Sequence, residues 1–208
     1  MSDGEPPRCW WSLGSTAYRA YHDGEWGRPC HDEKRLFELL ILEGAQAGLS
    51  WSTILNKREG YRAVFDGFDA RRMAAYTDEE LAQKLGDARI VRNRLKVSAA
   101  RTNAQAYLKL CEQHGSLESW LWKFVDGQPV LNHWQEKSQV PATTPLSDAI
   151  SKALQGMGFK FVGSTIIYAW LQATGVVNDH LSGCFCHPDN GANSAVHDRV
   201  RRHQSRLV

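Results

Sequence analysis

The sequence lacks any hydrophobic run long enough to cross a membrane. Its apolar stretches, such as "LLIL" at 39–42, stop far short of the ~20 residues a spanning helix needs. The opening "MSDGEPPRCW" is acidic and has no apolar segment of the kind a secretory signal carries, so a cytoplasmic location is expected. Cysteine is scarce: five residues (Cys9, Cys30, Cys111, Cys184, Cys186), an odd and scattered set. Without a secretion signal, that pattern argues against a disulfide framework and for metal ligation or plain burial. Alternating strand patterns are rare, and there is no internal repeat or low-complexity tract. Charge of one sign does not dominate either: 25 basic against 23 acidic residues leave a net +2, which neither demands nor excludes a nucleic-acid partner. The basic residues are nevertheless clustered, in "ARIVRNRLKVSAAR" (88–101) and in "DRVRRHQSRL" (198–207), where they could meet phosphates or simply form solvated faces.

What is present is helical pattern. Acidic first turns, Ser or Thr caps and closing glycines predict helices over 32–48, 49–65, 77–86, 91–115, 116–125, 145–158 and 164–175. Residues 126–146, with Gly127, Pro129, Pro141 and Pro145, form one long irregular connection. At 208 residues and 23.4 kDa the chain can bury one substantial core, with room for two lobes.

Glu43 is the first candidate for chemistry. At about 100° per residue, Leu36, Leu39, Leu40 and Glu43 share one face of their helix, while Lys34, Arg35 and Glu38 take the other. A carboxylate in an apolar stripe is costly unless something compensates its charge, so it is either a structural group bonded within the fold or a receptor for a polar or cationic ligand. Aromatic residues favour the second reading. Trp10, Trp11, Tyr18, Tyr21, Trp26 and Trp51 all fall in the first 51 residues, and "AYHDGEWG" (20–27) interleaves them with charge. An aromatic cage with one carboxylate suits a flat cationic ring such as an alkylated purine: the faces stack, and the carboxylate takes the N–H edge.

A second constellation lies near the other end, where "NDHLSGCFCHPDNG" packs His180, Cys184, Cys186 and His187 into eight positions. His180 and Cys184 alone are too few for a closed tetrahedral site. The set is completed locally by Cys186 and His187, at cramped spacing, or from afar by Cys9 and His22; ordinary buried cysteines are the plain alternative. A third feature, "LGDARIVRNRLKVSAA" (85–100), runs helix end, turn and new helix. That order suits a helix-hairpin-helix, whose turn amides and helix N-terminus face a DNA phosphate with Arg92, Arg94 and Lys96 beside them. The usual paired glycines of such a hairpin are absent.

Taken together, "RCWW" (8–11), "YHDGEWG" (21–27), "LFELLILEGAQAGLSW" (36–51), "DARIVRNRLKV" (87–97), "SDAISKALQGMGFKFVGST" (147–165) and "GVVNDHLSGCFCH" (175–187) resemble the 3-methyladenine DNA glycosylase I family, known as Tag. The resemblance runs in order over residues 8 to 188. It implies an all-α fold of the helix-hairpin-helix glycosylase superfamily in residues 1–188, followed by a basic, flexible tail over 189–208. It also implies a structural zinc ion held by Cys9, His22, His180 and Cys184, with Cys186 and His187 as bystanders. The family's base pocket maps onto Glu43, Tyr21 and Trp51, with Trp11, Tyr18 and Trp26 nearby. The implied reaction is hydrolysis of the N-glycosidic bond of 3-methyladenine in double-stranded DNA, by a monomer, without lyase chemistry. Two other functions are weighed against it. A zinc hydrolase of a small molecule is disfavoured by the absence of H-E-x-x-H. A catalytically silent binder of alkylated bases is disfavoured by the intact Glu43, Tyr21 and Trp51.

Overall fold

The computed structural model describes residues 5–190. A short 3-10 turn at Trp10–Gly14 leads into α1 (Thr16–Gly24), and α2 (Glu33–Gln46) follows after a loop. Next come α3 (Trp51–Asn56), α4 (Arg58–Val64), α5 (Ala70–Ala74), α6 (Asp78–Gly86), the long α7 (Arg94–His114) and α8 (Leu117–Trp122). The expected irregular connection holds one surprise, a two-residue strand β1 (Val130–Leu131). After α9 (Pro145–Gly156) and α10 (Ser164–Ala173) it is paired in parallel with β2 (Val177–Asn178), Val130 opposite Val177. A two-residue pair is too short to leave an alternating pattern in the sequence.

The all-α expectation holds, with differences at several elements. The single helix expected over 49–65 is two, because Lys57 leaves helical geometry (φ −102°, ψ 0°). Helices α1 and α5 were not expected. The helix expected from 91 begins at Arg94, where the Asn93 side chain accepts the Lys96 amide at 3.1 Å. Asp189 and Asn190 close a last turn, with Asn190 Nδ2 donating to the Ser182 and Cys184 carbonyls, whereas residues 191–208 of the expected tail lie outside the described residues.

The core is built around α2, which is buried on every side from Leu36 to Ala45. Glu38, set with Lys34 and Arg35 on the side away from the apolar stripe, is buried as well. Its carboxylate is buried and paired with Arg58 Nε at 2.7 Å and Arg62 Nε at 2.9 Å, while Arg58 also reaches Glu25 at 2.7 Å. A buried charge must be paired, and these arginines tie α2 to α4 and to the end of α1. At its start, α2 supplies Glu33 to accept the Leu117 and Glu118 amides of α8 and the Tyr107 hydroxyl of α7. Helix α10 packs against α2 through fully buried Trp170, whose indole N–H donates to the Leu36 carbonyl at 3.0 Å. The turn after α10 requires Gly175: at φ +66° an added Cβ would lie 2.1 Å from the Arg28 carbonyl carbon. This close approach brings the segment after α1 against the segment that follows α10.

Candidate functional site

A cavity of about 270 Å³ opens between the 3-10 turn, α1, α2, the start of α3 and α10. Trp10 and Trp11 come from the turn, Tyr18 and Tyr21 from α1, and Trp26 from the loop after it. Glu43 and Gln46 descend from α2, Trp51 from the first position of α3, and Ala169 and Gln172 from α10. The rings brace one another: Trp11 meets Tyr18 edge-on at 5.3 Å and Trp26 at 5.0 Å, and Tyr21 tilts against Trp51 at 5.4 Å. All six residues expected to form the base pocket therefore line one cavity. Gln46, Ala169 and Gln172 were not foreseen. Gln46 follows Glu43 by three residues on one helix and was findable from helical periodicity. Gln172 and Ala169 are more than a hundred residues away in sequence and left no such signal.

Glu43 is 4% exposed, and no other described residue hydrogen-bonds to or pairs with its carboxylate. Burial pushes its pKa up to about 8. Two donors beside it are also without partners: the Tyr21 hydroxyl and the Trp51 indole N–H are buried and make no hydrogen bond. Burial first, and the Glu43 carboxylate second, hold the Tyr21 hydroxyl well above its ordinary pKa, so it stays a donor. Buried polar atoms in a native fold are nearly always satisfied. An unpaired carboxylate and two unpaired donors in one aromatic cavity describe a site shaped for a planar ligand that brings both N–H groups and acceptors.

Two other cavities do not compete. One, beside Lys96 and Asn103, holds about 20 Å³, space for a water molecule. The other is a wide polar groove lined by paired charges, among them Glu25, Arg35, Glu38, Arg58, Glu59 and Arg62.

Against the outer side of the cage lies the second constellation. Cys9, His22, His180 and Cys184 are all buried, with one potential ligand atom from each within 4.8 Å of the others, an arrangement that could hold a metal ion. Cys184 Sγ lies 3.4 Å from His22 Nε2 and 3.6 Å from His180 Nδ1, and Cys9 Sγ lies 3.6 Å from His180 Nδ1. The outer ring nitrogens are each fixed. His22 Nδ1 meets Asp23 at 2.8 Å, and Asp23 is clamped in turn by Arg8; His180 Nε2 meets the Trp26 carbonyl at 3.1 Å. Such outer partners set which nitrogen faces a metal. Gly27 is required here, since at φ +72° an added Cβ would stand 2.9 Å from the His180 ring. His187 is turned away, with Nε2 on the Asn132 carbonyl at 3.1 Å, and Cys186 lies 4.0 Å from the far nitrogen of His22. The Cys186 amide donates to Cys184 Sγ at 3.4 Å, and hydrogen bonds from Cys186 and Cys9 push the Cys184 thiol far down, favouring a thiolate there. Trp26 belongs to both constellations: it lines the cavity, and its ring stands edge-on to His180 at 4.7 Å.

The basic hairpin occupies residues 87–93 between α6 and α7. Arg92 and Arg94 are exposed. Lys96 is used within the fold, its ammonium donating to the Ala45 and Ala47 carbonyls at 2.8 and 2.6 Å, where it caps the C-terminal end of α2. No described helix is long and apolar enough to cross a membrane.

The model of the methyladenine glycosylase family matches residues 10–187. The chain is 50% identical over 184 residues to DNA-3-methyladenine glycosylase 1 of Escherichia coli strain K12, a match covering 88% of this chain and 98% of that protein. A crystal structure of 3-methyladenine DNA glycosylase I (TAG) superposes with a TM-score of 0.85 at 50% identity, over 88% of this chain and all of that one. A Staphylococcus aureus TAG structure described as the structural basis of 3-methyladenine recognition is similar at TM-score 0.85 and 35% identity, covering 89% of this chain and 98% of that one.

Proposed function

The chain belongs to the methyladenine glycosylase family, and we propose that it excises 3-methyladenine from alkylated double-stranded DNA by hydrolysing the N-glycosidic bond, leaving an abasic site. The observation that carries this reading is the unpaired, buried Glu43 facing an aromatic cavity with two unpaired donors. Methylation at N3 makes adenine cationic and already a good leaving group. The nucleotide swings out of the duplex into the cavity. Trp51 stacks on its face, Glu43 accepts N–H groups of the cationic edge, and the Tyr21 hydroxyl donates to a ring nitrogen, with Trp11, Tyr18 and Trp26 closing the cage. An incoming cation favours the ionised carboxylate, so binding drives off the proton that burial had stabilised on Glu43. Ordinary adenine is neutral, is less attracted to this cage and leaves poorly, so selectivity comes from charge and from leaving-group chemistry together. Water is the attacking group. Cleavage is confined to the base–sugar bond, and no lyase step follows.

Zinc is the metal whose chemistry suits Cys9, His22, His180 and Cys184. Bonds of about 2.3 Å to sulfur and about 2.0 Å to nitrogen at tetrahedral angles would set sulfur–nitrogen edges of about 3.5 Å, which fits the 3.4 to 3.6 Å separations above. Four protein ligands would leave no position for water, so the ion would be structural, joining the segment that carries Cys9 and His22 to the one that carries His180 and Cys184, behind Trp26. Arg92 and Arg94, beside the N-terminus of α7, are the proposed phosphate contacts of the hairpin, while Lys96 supports them by fixing α7 to the end of α2.

The test is incubation of the folded, metal-loaded protein with methylated DNA and chromatography of the freed bases. Release of 3-methyladenine with little 7-methylguanine is expected; binding without any release would leave the silent-binder reading in its place.

A further inference from the structure

Gln172 lines the cavity one helical turn beyond Ala169, and its amide is not free to turn. Its Nε2 donates to Asp179 Oδ2 at 2.7 Å. Asp179 is 1% exposed and collects three further donors: Asn132 Nδ2 at 2.7 Å, Trp134 Nε1 at 2.9 Å and the Tyr168 hydroxyl. Burial and Asp179 hold the Tyr168 hydroxyl far above its ordinary pKa, so it too remains a donor to the carboxylate. With every neighbour donating to Asp179, only the nitrogen of the Gln172 amide can face it; a flipped amide would set oxygen against oxygen. The backbone is fixed as well, because the Gln172 carbonyl accepts the Gly27 amide at 2.9 Å beside the Trp26 wall. Of the side-chain amide, the carbonyl oxygen alone lacks a partner among the described residues.

We propose that Gln172 is a specificity-determining residue of the pocket: Asp179 orients its amide so that the carbonyl oxygen accepts an N–H from the bound base. This rests on the glycosylase reading and goes beyond it: with Glu43 taking one N–H of the cationic edge, Gln172 supplies a second acceptor, one whose orientation is set by Asp179. Adenine carries an amino group at position 6, and guanine carries a carbonyl oxygen there. An acceptor held rigidly at that edge welcomes the first and opposes the second, and a polar group left facing the wrong partner discriminates more strongly than apolar shape does. The buried Asp179 network thus extends the metal-side scaffold into the choice of base.

Two variants test it. Gln172→Met keeps the volume and removes both polar atoms, while Gln172→Lys keeps a donor for Asp179 and removes the carbonyl. Wild type and both variants, checked for folding by circular dichroism and for metal content, are assayed for release of 3-methyladenine and 3-methylguanine from one methylated DNA sample. The expected result is a fall on the order of 10-fold in the 3-methyladenine to 3-methylguanine rate ratio in each variant. Should Gln172→Met fail to fold, Gln172→Lys carries the test, with Asp179 still partnered. An unchanged ratio in a folded variant, with wild-type activity on 3-methyladenine intact, overturns this proposal alone. A wild-type protein that releases neither base overturns it together with the glycosylase reading.

Discussion

Replacing Glu43 by glutamine is expected to make the protein more stable while making it a poorer enzyme, and the gain in stability should depend on pH in a defined direction. Burial raises the Glu43 pKa from 4.5 to about 8. The folded protein therefore keeps a proton that the unfolded chain releases above pH ~4.5, and wild-type stability falls as pH rises from there to about 8, then levels off. The full rise corresponds to about 5 kcal/mol at roughly 1.4 kcal/mol per unit. Water entering through the cavity mouth relaxes part of that cost, so we expect Glu43→Gln to gain about 2–5 kcal/mol at pH 9 and close to nothing at pH 4.5. Paired urea titrations of the two proteins across this range measure the difference directly, and contributions of other titrating groups cancel. The same variant should excise 3-methyladenine at least ~10-fold more slowly, with its metal content unchanged. A stability difference that does not vary with pH would refute the claim that Glu43 sits unpaired in the empty pocket. Wild-type excision would remove it from the reaction.

Other perturbations separate the remaining parts of the account. Cys184→Ala should lose the metal and on the order of 3 kcal/mol of stability together, whereas Cys186→Ala should keep its metal; elemental analysis with thermal melts reads both, and the reverse pattern would make Cys186 a ligand. Arg58→Met strips a buried guanidinium from Glu38 and Glu25 and should cost about 3–5 kcal/mol in urea unfolding, with a loss below ~1 kcal/mol contradicting the role given to that pair. Arg92→Ala and Arg94→Ala should each reduce the salt dependence of DNA binding by a slope of about 1, while Lys96→Met should leave that slope alone and lower stability; titrations at several salt concentrations distinguish them.

Much of this organisation was legible in the sequence because it rests on local signals. The Leu36, Leu39, Leu40, Glu43 spacing placed the carboxylate on an apolar face before any fold was known, and the cavity is where that face leads. The aromatic density of residues 10–51 reflects one wall folded from neighbouring elements, so composition alone reported it. The pairing of Glu38 left no signal because its partners, Arg58 and Arg62, are twenty residues and more away, and helical periodicity carries no information about who compensates a charge. The bonds of Lys96 within the fold left no signal for the same reason: its carbonyl acceptors, Ala45 and Ala47, close the far end of another helix. Gln172 and Asp179 were invisible because their roles arise only when α10 is laid against the loop that follows α1 and the β1 segment, which is a property of tertiary packing.

The central claim, that this cavity receives a cationic methylated adenine for excision, is tested most directly by the bases released from methylated DNA. Wild-type protein should free 3-methyladenine and leave nearly all 7-methylguanine in place, and Glu43→Gln should release markedly less. Folded, metal-loaded wild-type protein that frees no 3-methyladenine would contradict the account.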